Sequence, residues 1–360
     1  MVSMRSIALA SALLLGIATS AMAAPTRLAM DVGGRTLTRT QNGAREWVYQ
    51  WPGVYFEAHF KGPQVSLRLD DPSNVLNLLV DGHPLMTLHE PGRTTVTLGD
   101  LGDGAHVIRL EKRSETQSDL GAFAGFFVPA RADALPAQRL ARQIEFIGDS
   151  TTAGYGDTSA FGKCDKDAVF ETTDTQQAFG PLVAKHYGAE YQVLAYSGIG
   201  MVRSAGVHPK YLTPMLWPRA LFDDPTPDPA PWSPQIVMVA VGGNDFSTPV
   251  HDGEPFKSEA DLSATYQSAY IDFVHTLRAK YPKALIVMVW STDFRPGYTA
   301  AAQQIYATLT AQGFAGLGHV ALPALARTGC NNHANVHDHA AVAALLEGYI
   351  DAQPGVWQGL

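Results

Sequence analysis

The chain has 360 residues, 46% of them hydrophobic and 17% charged, enough for two ordinary domains with proper cores, which excludes bulk disorder. A formal charge of −8 with 26 lysines and arginines, and no basic run, argues against a nucleic-acid partner. The first segment carries Arg5, an apolar stretch over residues 7–17 and the ending Ala21-Met22-Ala23. That stretch is shorter than the roughly 20 apolar residues of a membrane span, and Ala-x-Ala is a cleavage pattern. Residues 1–23 therefore read as a signal peptide, making the mature protein secreted or periplasmic. No cysteine at the cleavage site can take a lipid, and no later stretch is long and apolar enough for a membrane anchor.

Residues 24–135 form a series of short strand-like runs. Stretches 54–60, 65–69 and 106–110 alternate apolar and polar positions, and 75–80 ends at an Asp81-Gly82 turn. Without intervening helices, such strands imply an all-β domain, a β-sandwich or jelly roll, which could supply one wall of a cleft. Residues 129–138, rich in alanine and with two prolines, read as the connection. From residue 139 to 360 the pattern becomes strand (143–147, 191–195, 235–241, 284–290) and helix (176–187, 260–280, 299–312, 338–350). This predicts an α/β/α domain with a mostly parallel sheet, whose ligands bind beyond the carboxyl ends of the strands. Residues 223–234, with five prolines, read as a surface loop.

Three segments follow predicted strands: Gly148-Asp149-Ser150, Ser197-Gly198-Ile199-Gly200 and Gly243-Asn244-Asp245. A fourth, Cys330-Asn331-Asn332-His333, lies near the end. Together they can supply a serine nucleophile, backbone and amide donors for an oxyanion, and a histidine base, the equipment of acyl transfer through a covalent intermediate. Ser150 is the candidate nucleophile, although the Gly-x-Ser-x-Gly elbow is absent around it. Gly198 or Gly200 can bring a bare amide to the substrate and Asn244 a side-chain donor; the bland alternatives are a strand-to-helix turn and a helix cap. His333 is the candidate base, with His337 and His339 as competitors at the start of the last helix; position alone does not separate the three. The two cysteines, Cys164 and Cys330, would meet an oxidising compartment after export, so a disulfide joining the loops of nucleophile and base is expected, two unrelated thiols being the alternative. No third or fourth ligand stands at zinc spacing, so no metal is expected.

The runs Gly148-Asp149-Ser150-Thr151-Thr152-Ala153-Gly154-Tyr155-Gly156, Ser197-Gly198-Ile199-Gly200, Gly242-Gly243-Asn244-Asp245-Phe246-Ser247 and Gly329-Cys330-x-x-His333 resemble the blocks of the SGNH (GDSL-type) hydrolases. With the two-domain layout, the chain is similar to carbohydrate esterase family 2 over nearly its whole mature length. The resemblance implies a jelly-roll domain joined to an SGNH domain and removal of acetyl groups from xylan and related polysaccharides without a cofactor. It implies Ser150 as nucleophile, His333 as base, and Ser150, Gly198 and Asn244 as oxyanion donors. The region before the histidine departs from the pattern. Asn331 replaces the usual acidic residue, Asn332 a frequent aromatic, Ala334 a common proline, and Cys330 stands where the wider superfamily often has its aspartate. The ring would then be oriented by a backbone carbonyl or by the Asn331 side-chain oxygen accepting from Nδ1–H. Tyr155, Phe246, Trp290 and Asn332 are candidates for substrate contact, and Trp217 a further aromatic substitute. The rival readings are a lipid esterase or thioesterase on the same scaffold and a carbohydrate-binding protein with a degenerate site.

Overall fold

The computed structural model describes residues 24–41, 43–129, 133–205 and 211–358; the expected signal peptide lies outside the described residues. The first unit contains β1 (Thr26–Arg27), β2 (Met30–Gly33), β3 (Thr36–Gln41), β4 (Ala44–Tyr49), β5 (Tyr55–Lys61) and β6 (Val65–Asp71). It continues with β7 (Val75–Val80), β8 (His83–His89), β9 (Gly92–Leu98), β10 (Ala105–Lys112) and β11 (Gly121–Val128). One antiparallel sheet runs β3-β4-β11-β6-β9 with β1 on β11, the other β2-β5-β10-β7-β8. Alternation decides which side of each strand is inside: Val65, Leu67 and Leu69 of β6 are buried while Arg68 between them is exposed. The inner faces meet through aromatic rings, with Phe56 of β5 lying 4.5 Å from Phe123 of β11. The Asp81-Gly82 hairpin has positive φ at both residues, 54° and 78°, as a two-residue turn that follows the twist of its strands requires.

The second unit has a parallel sheet of β12 (Arg142–Gly148), β13 (Ala189–Ala195), β14 (Ile236–Ala240), β15 (Leu285–Ser291) and β16 (Leu317–Leu322), in the order β13-β12-β14-β15-β16. Strand β16 has no counterpart among the expected strands. It is an edge strand with alternate residues exposed, so it lacks the continuous apolar run of its neighbours. The helices are α1 (Ser150–Ala153), α2 (Lys166–Thr172), α3 (Phe179–His186), α4 (Thr213–Leu216), α5 (Glu259–Lys280), α6 (Pro296–Ala311) and α7 (Val336–Asp351). Helix α2 buries no residue and so carries no apolar stripe to reveal it. Helix α6 begins before its apolar spacing does, because Pro296 suits the first turn. Val183 of α3 and Leu346 of α7 pack with Phe146 on one face of the sheet; Val274 of α5 and Ile305 of α6 pack with Val237 and Val239 on the other.

The two units share a buried boundary. Arg35 of the sandwich donates to the carbonyl oxygens of Trp217 and Arg219 and through Nε to Gln192 at 3.0 Å. It also lies 3.7 Å from the buried carboxylate of Glu145. Trp51 adds an indole N–H to the Arg219 carbonyl at 3.2 Å and an edge contact with Phe222. Polar groups so enclosed are satisfied only in one mutual placement of the units, which makes the boundary directional as well as apolar.

Candidate active site

Chain order reverses between β12 and β14, the point where open parallel sheets leave a crevice. Gly148 ends β12 level with Ala195 of β13 and Ala240 of β14. Asp149 caps α1 by accepting from the Thr151 N–H at 3.1 Å, and Ser150 begins that single turn. Ser150 Oγ lies 2.8 Å from Nε2 of His333. His337, by contrast, is exposed, while His339 is buried and accepts the Phe179 N–H on Nδ1, with its pKa pushed down to about 4 by burial.

The turn before His333 explains how the ring is held without a carboxylate. Asn331 and Asn332 both have positive φ, 52° and 63°, and this left-handed turn brings the Cys330 and Asn331 carbonyl oxygens to 2.9 and 3.2 Å from Nδ1. Carbonyl oxygens only accept, so Nδ1 carries the proton and Nε2 presents its lone pair to the serine hydroxyl. The Asn331 side chain is turned away from the ring, correcting the expectation that its oxygen meets Nδ1–H. That oxygen accepts from the Cys164 N–H at 3.2 Å, and its NH₂ donates to the Cys164 carbonyl at 3.2 Å and to the Tyr155 hydroxyl at 3.4 Å.

Several bonds tie this turn to the nucleophile's loop. Cys164 and Cys330 form a disulfide, Cys330 N–H donates to the Gly156 carbonyl at 3.1 Å, and Val336 N–H to the Asp157 carbonyl at 3.1 Å. Gly156 has φ of 57°, and a Cβ there would fall 2.3 Å from Cβ of Cys330, so only glycine allows the two loops to touch. Beyond the turn, Asn335 and Asp338 form a capping box on α7, and Asp338 also accepts from the Ala326 and Arg327 N–H groups. The Tyr155 ring packs against His333, tilted by 34° with centroids 4.3 Å apart, and burial lowers the imidazole's pKa from its usual value.

On the opposite side, Asn244 bridges the segments. Its Nδ2 donates to the Ile199 carbonyl at 2.8 Å and to Asp149 Oδ2 at 3.2 Å. Asp245 holds the loop after β13 by accepting from the N–H groups of Met201, Val202 and Arg203. The loop's two glycines differ in use: Gly200 N–H donates to Ser204 Oγ, whereas Gly198 N–H, in a residue with φ of 85°, has no acceptor among the described residues. Burial, with Asp245 and Glu115 nearby, pushes the Asp149 carboxyl up to about 7.

A cavity of about 340 Å³ opens over Ser150, bounded by Asn244, Trp290, Phe294, Arg327, Asn332 and His333 among others. Among the described residues all its lining belongs to the second unit and none to the sandwich, contrary to the expectation that the sandwich could wall the cleft. Among the expected contact residues, Asn332 is exposed on its rim, and Trp290 borders it while stacked on His319 and 4% exposed. Phe246 and Trp217 are buried in packing against Tyr266 and Phe273, and Tyr155 covers the imidazole. These three are not among the cavity's lining residues: Phe246 and Trp217 are drawn into the core, and Tyr155 stays half-buried against the imidazole. Phe294 and Arg327 escaped sequence reading. Phe294 follows the end of β15, so the strand-end rule that singled out Ser150 also pointed there; Arg327 follows the unanticipated β16.

A family model described as Carbohydrate esterase 2 N-terminal matches residues 32–137, and one described as GDSL-like Lipase/Acylhydrolase family matches residues 146–340. An acetylxylan esterase / glucomannan deacetylase of Cellvibrio japonicus (strain Ueda107) is 35% identical over 333 residues, 92% of each chain. The chain belongs to carbohydrate esterase family 2. The structure of a carbohydrate esterase whose active site displays divergent catalytic and non-catalytic binding functions superposes with a TM-score of 0.85 at 34% identity, covering 92% of this chain and 100% of the other. A family two carbohydrate esterase from Clostridium thermocellum, solved with cellohexaose, shares the fold with a TM-score of 0.78 at 24% identity over 91% and 99% of the two chains. As a member of this family the protein is an esterase. Among the described residues no helix is long and apolar enough to cross a membrane.

Proposed function

We propose that this esterase is a secreted acetylesterase that removes O-acetyl groups from xylan or related polysaccharides and oligosaccharides through an acetyl-Ser150 intermediate. The supporting observation is the 2.8 Å contact between Ser150 Oγ and His333 Nε2, with Nδ1–H aimed at two backbone carbonyls. His333 takes the Ser150 proton as Oγ attacks the acetyl carbonyl carbon, then gives it to the departing sugar oxygen. Water, deprotonated by the same nitrogen, attacks the acetyl-enzyme; acetate leaves and the proton returns to the serine. The oxyanion is received by Ser150 N–H, Gly198 N–H and Asn244 Nδ2, the last exchanging its longer bond to Asp149 for the developing charge. The dipoles of the Cys330 and Asn331 carbonyls stabilise the transient imidazolium in place of a carboxylate.

The glycan substrate is carried over from the Cellvibrio japonicus relative, named for acetylxylan and glucomannan. Asn332 on the rim and Trp290 and Phe294 at the cavity are the proposed contacts with the sugar or its acetyl group. Secretion rests on the signal-like residues 1–23, and the Cys164–Cys330 bridge fits an oxidising compartment. Residues 24–135 and 139–360 are the proposed domains. A second reading, an esterase for longer acyl chains, is favoured by the apolar wall of Phe294, Leu322 and Leu325. Acetate release from acetylated xylan and glucomannan, together with rates on 4-nitrophenyl acetate, butyrate and octanoate, separates the two. Acetyl preference with acetate release from the polymer is expected; preference for octanoate would replace the proposal by the second reading.

A further inference from the structure

Among the described residues the sandwich lines none of the cavity, yet it reaches the site from behind. Glu115 and Gln117 lie on the loop between β10 and β11. Glu115 accepts the Ser197 backbone N–H at 2.7 Å on one oxygen and the Ser197 hydroxyl on the other. Gln117 donates its Nε2 to the Ser197 carbonyl at 3.1 Å and also to Glu115 at 3.1 Å. The N–H, hydroxyl and carbonyl of one residue of the hydrolase unit are thus all held by the sandwich.

The next residue is Gly198. The Ser197 carbonyl and the Gly198 N–H belong to the same planar, trans peptide group and point in opposite directions, so gripping the carbonyl aims the amide hydrogen. A glycine with positive φ has little steric preference of its own to set that direction. The gripping loop is itself anchored. Buried Lys112 donates to the Ser114 carbonyl at 2.9 Å and the Gln50 carbonyl at 3.0 Å, and Thr116 donates its hydroxyl to the Ser73 carbonyl at 3.0 Å.

We infer that Glu115 and Gln117 are positioning residues for ester hydrolysis, through which the sandwich orients the Gly198 peptide as an oxyanion donor. The inference rests on the assignment of Gly198 to the oxyanion hole. It gives the first unit a part in turnover that needs no contact with the glycan. Preorganisation is what an oxyanion donor contributes, since a donor that must reorient during the reaction loses much of its effect.

The test measures kcat and KM on 4-nitrophenyl acetate for Gln117→Ala, Glu115→Ala and Glu115→Gln. Each rate is normalised to the reactive serine titrated to completion with a fluorophosphonate, alongside thermal melting. A misaimed amide should lower kcat per titrated serine by about 10- to 100-fold, below the loss of roughly 10²- to 10³-fold for removing a donor outright, with KM within about threefold. Glu115→Gln keeps an oxygen for the Ser197 N–H and should recover most of the rate lost in Glu115→Ala. If the alanine variants melt lower and show fewer titratable serines but an unchanged kcat per serine, the role is structural and the inference is overturned. A loss confined to KM overturns it as well. Ser150→Ala run in parallel keeps the cases apart: activity surviving there sinks the serine mechanism itself, whereas an inactive Ser150→Ala beside fully active Glu115 and Gln117 variants sinks only the inference.

Discussion

The base and the oxyanion donors meet at one serine but hang from different parts of the chain. His333 is held within the hydrolase unit itself, by a left-handed turn, two backbone carbonyls and the Cys164–Cys330 bridge. The Gly198 peptide is held by noncovalent bonds that cross from the sandwich, while Asn244 ties the Ile199 carbonyl beyond it to Asp149. The difference suits the two tasks. A base must keep one tautomer and one distance through two proton transfers, and a crosslinked turn does this with backbone carbonyls in place of a carboxylate. An oxyanion donor needs only a direction, and a planar peptide clamped at its carbonyl end supplies one.

The sharpest break of this comparison is on the base side. His333→Ala should lower turnover on the order of 10⁴-fold or more, since nucleophile and base act as a unit, while exposed His337→Ala leaves it within about twofold. Steady-state kinetics on 4-nitrophenyl acetate decides, and equal losses would reopen the identity of the base. On the other side, Asn244→Ala should cost roughly 10²- to 10³-fold in kcat with KM little changed. A change in KM alone would make Asn244 a substrate contact.

Replacing both Cys164 and Cys330 by serine should lower unfolding free energy by about 2–5 kcal/mol in denaturant titrations, as removal of a native disulfide commonly does. Because Cys330 also presents the nearer carbonyl to His333, kcat should fall with it, by about tenfold if loosening a ring's orientation costs a fraction of losing it. Unchanged kcat would show that the turn holds the ring unaided.

The acid limb of kcat/KM reports the base in the free enzyme. Burial lowers the His333 pKa, and the base works only when neutral, so the limb should lie below the ordinary histidine value of about 6.5. A midpoint above that value would mean that another group, Asp149 with its carboxyl pushed up to about 7, governs the limb. The smallest effect expected is at Asn331. Asn331→Asp should give no gain in rate, because the side chain faces Cys164 and the ring already has its acceptors; increased turnover would mean the turn can swing the carboxylate to Nδ1.

Much of this was written locally. Alternating residues mark β6, continuous apolar runs mark β14 and β15, and the Gly148-Asp149-Ser150 turn follows its strand closely enough to be found. Strand β16 and the cavity residue Arg327 were not legible, since an edge strand carries only half the apolar signal and a loop after an unseen strand inherits its obscurity. The aromatic candidates went astray for a related reason: Phe246 and Trp217 are as suitable for a core as for a sugar platform, and only packing chooses.

By itself, then, the sequence determined which segments become the strands β12 to β15, that three of these end in polar turns, and that two cysteines flank the pieces of the site. Tertiary structure alone decided which of three histidines faces Ser150, which of two glycines leaves its amide without a partner among the described residues, and that Asn331 turns its side chain away while lending its carbonyl. These are matters of backbone direction. The same residue types point their carbonyl and amide groups differently as φ changes sign, and that sign at Asn331, Asn332 and Gly198 sits with contacts from Gly162, Cys164 and the distant Gln117. No local pattern of side chains encodes such a direction, because the groups that set it are brought together only when the sheets have closed on one another.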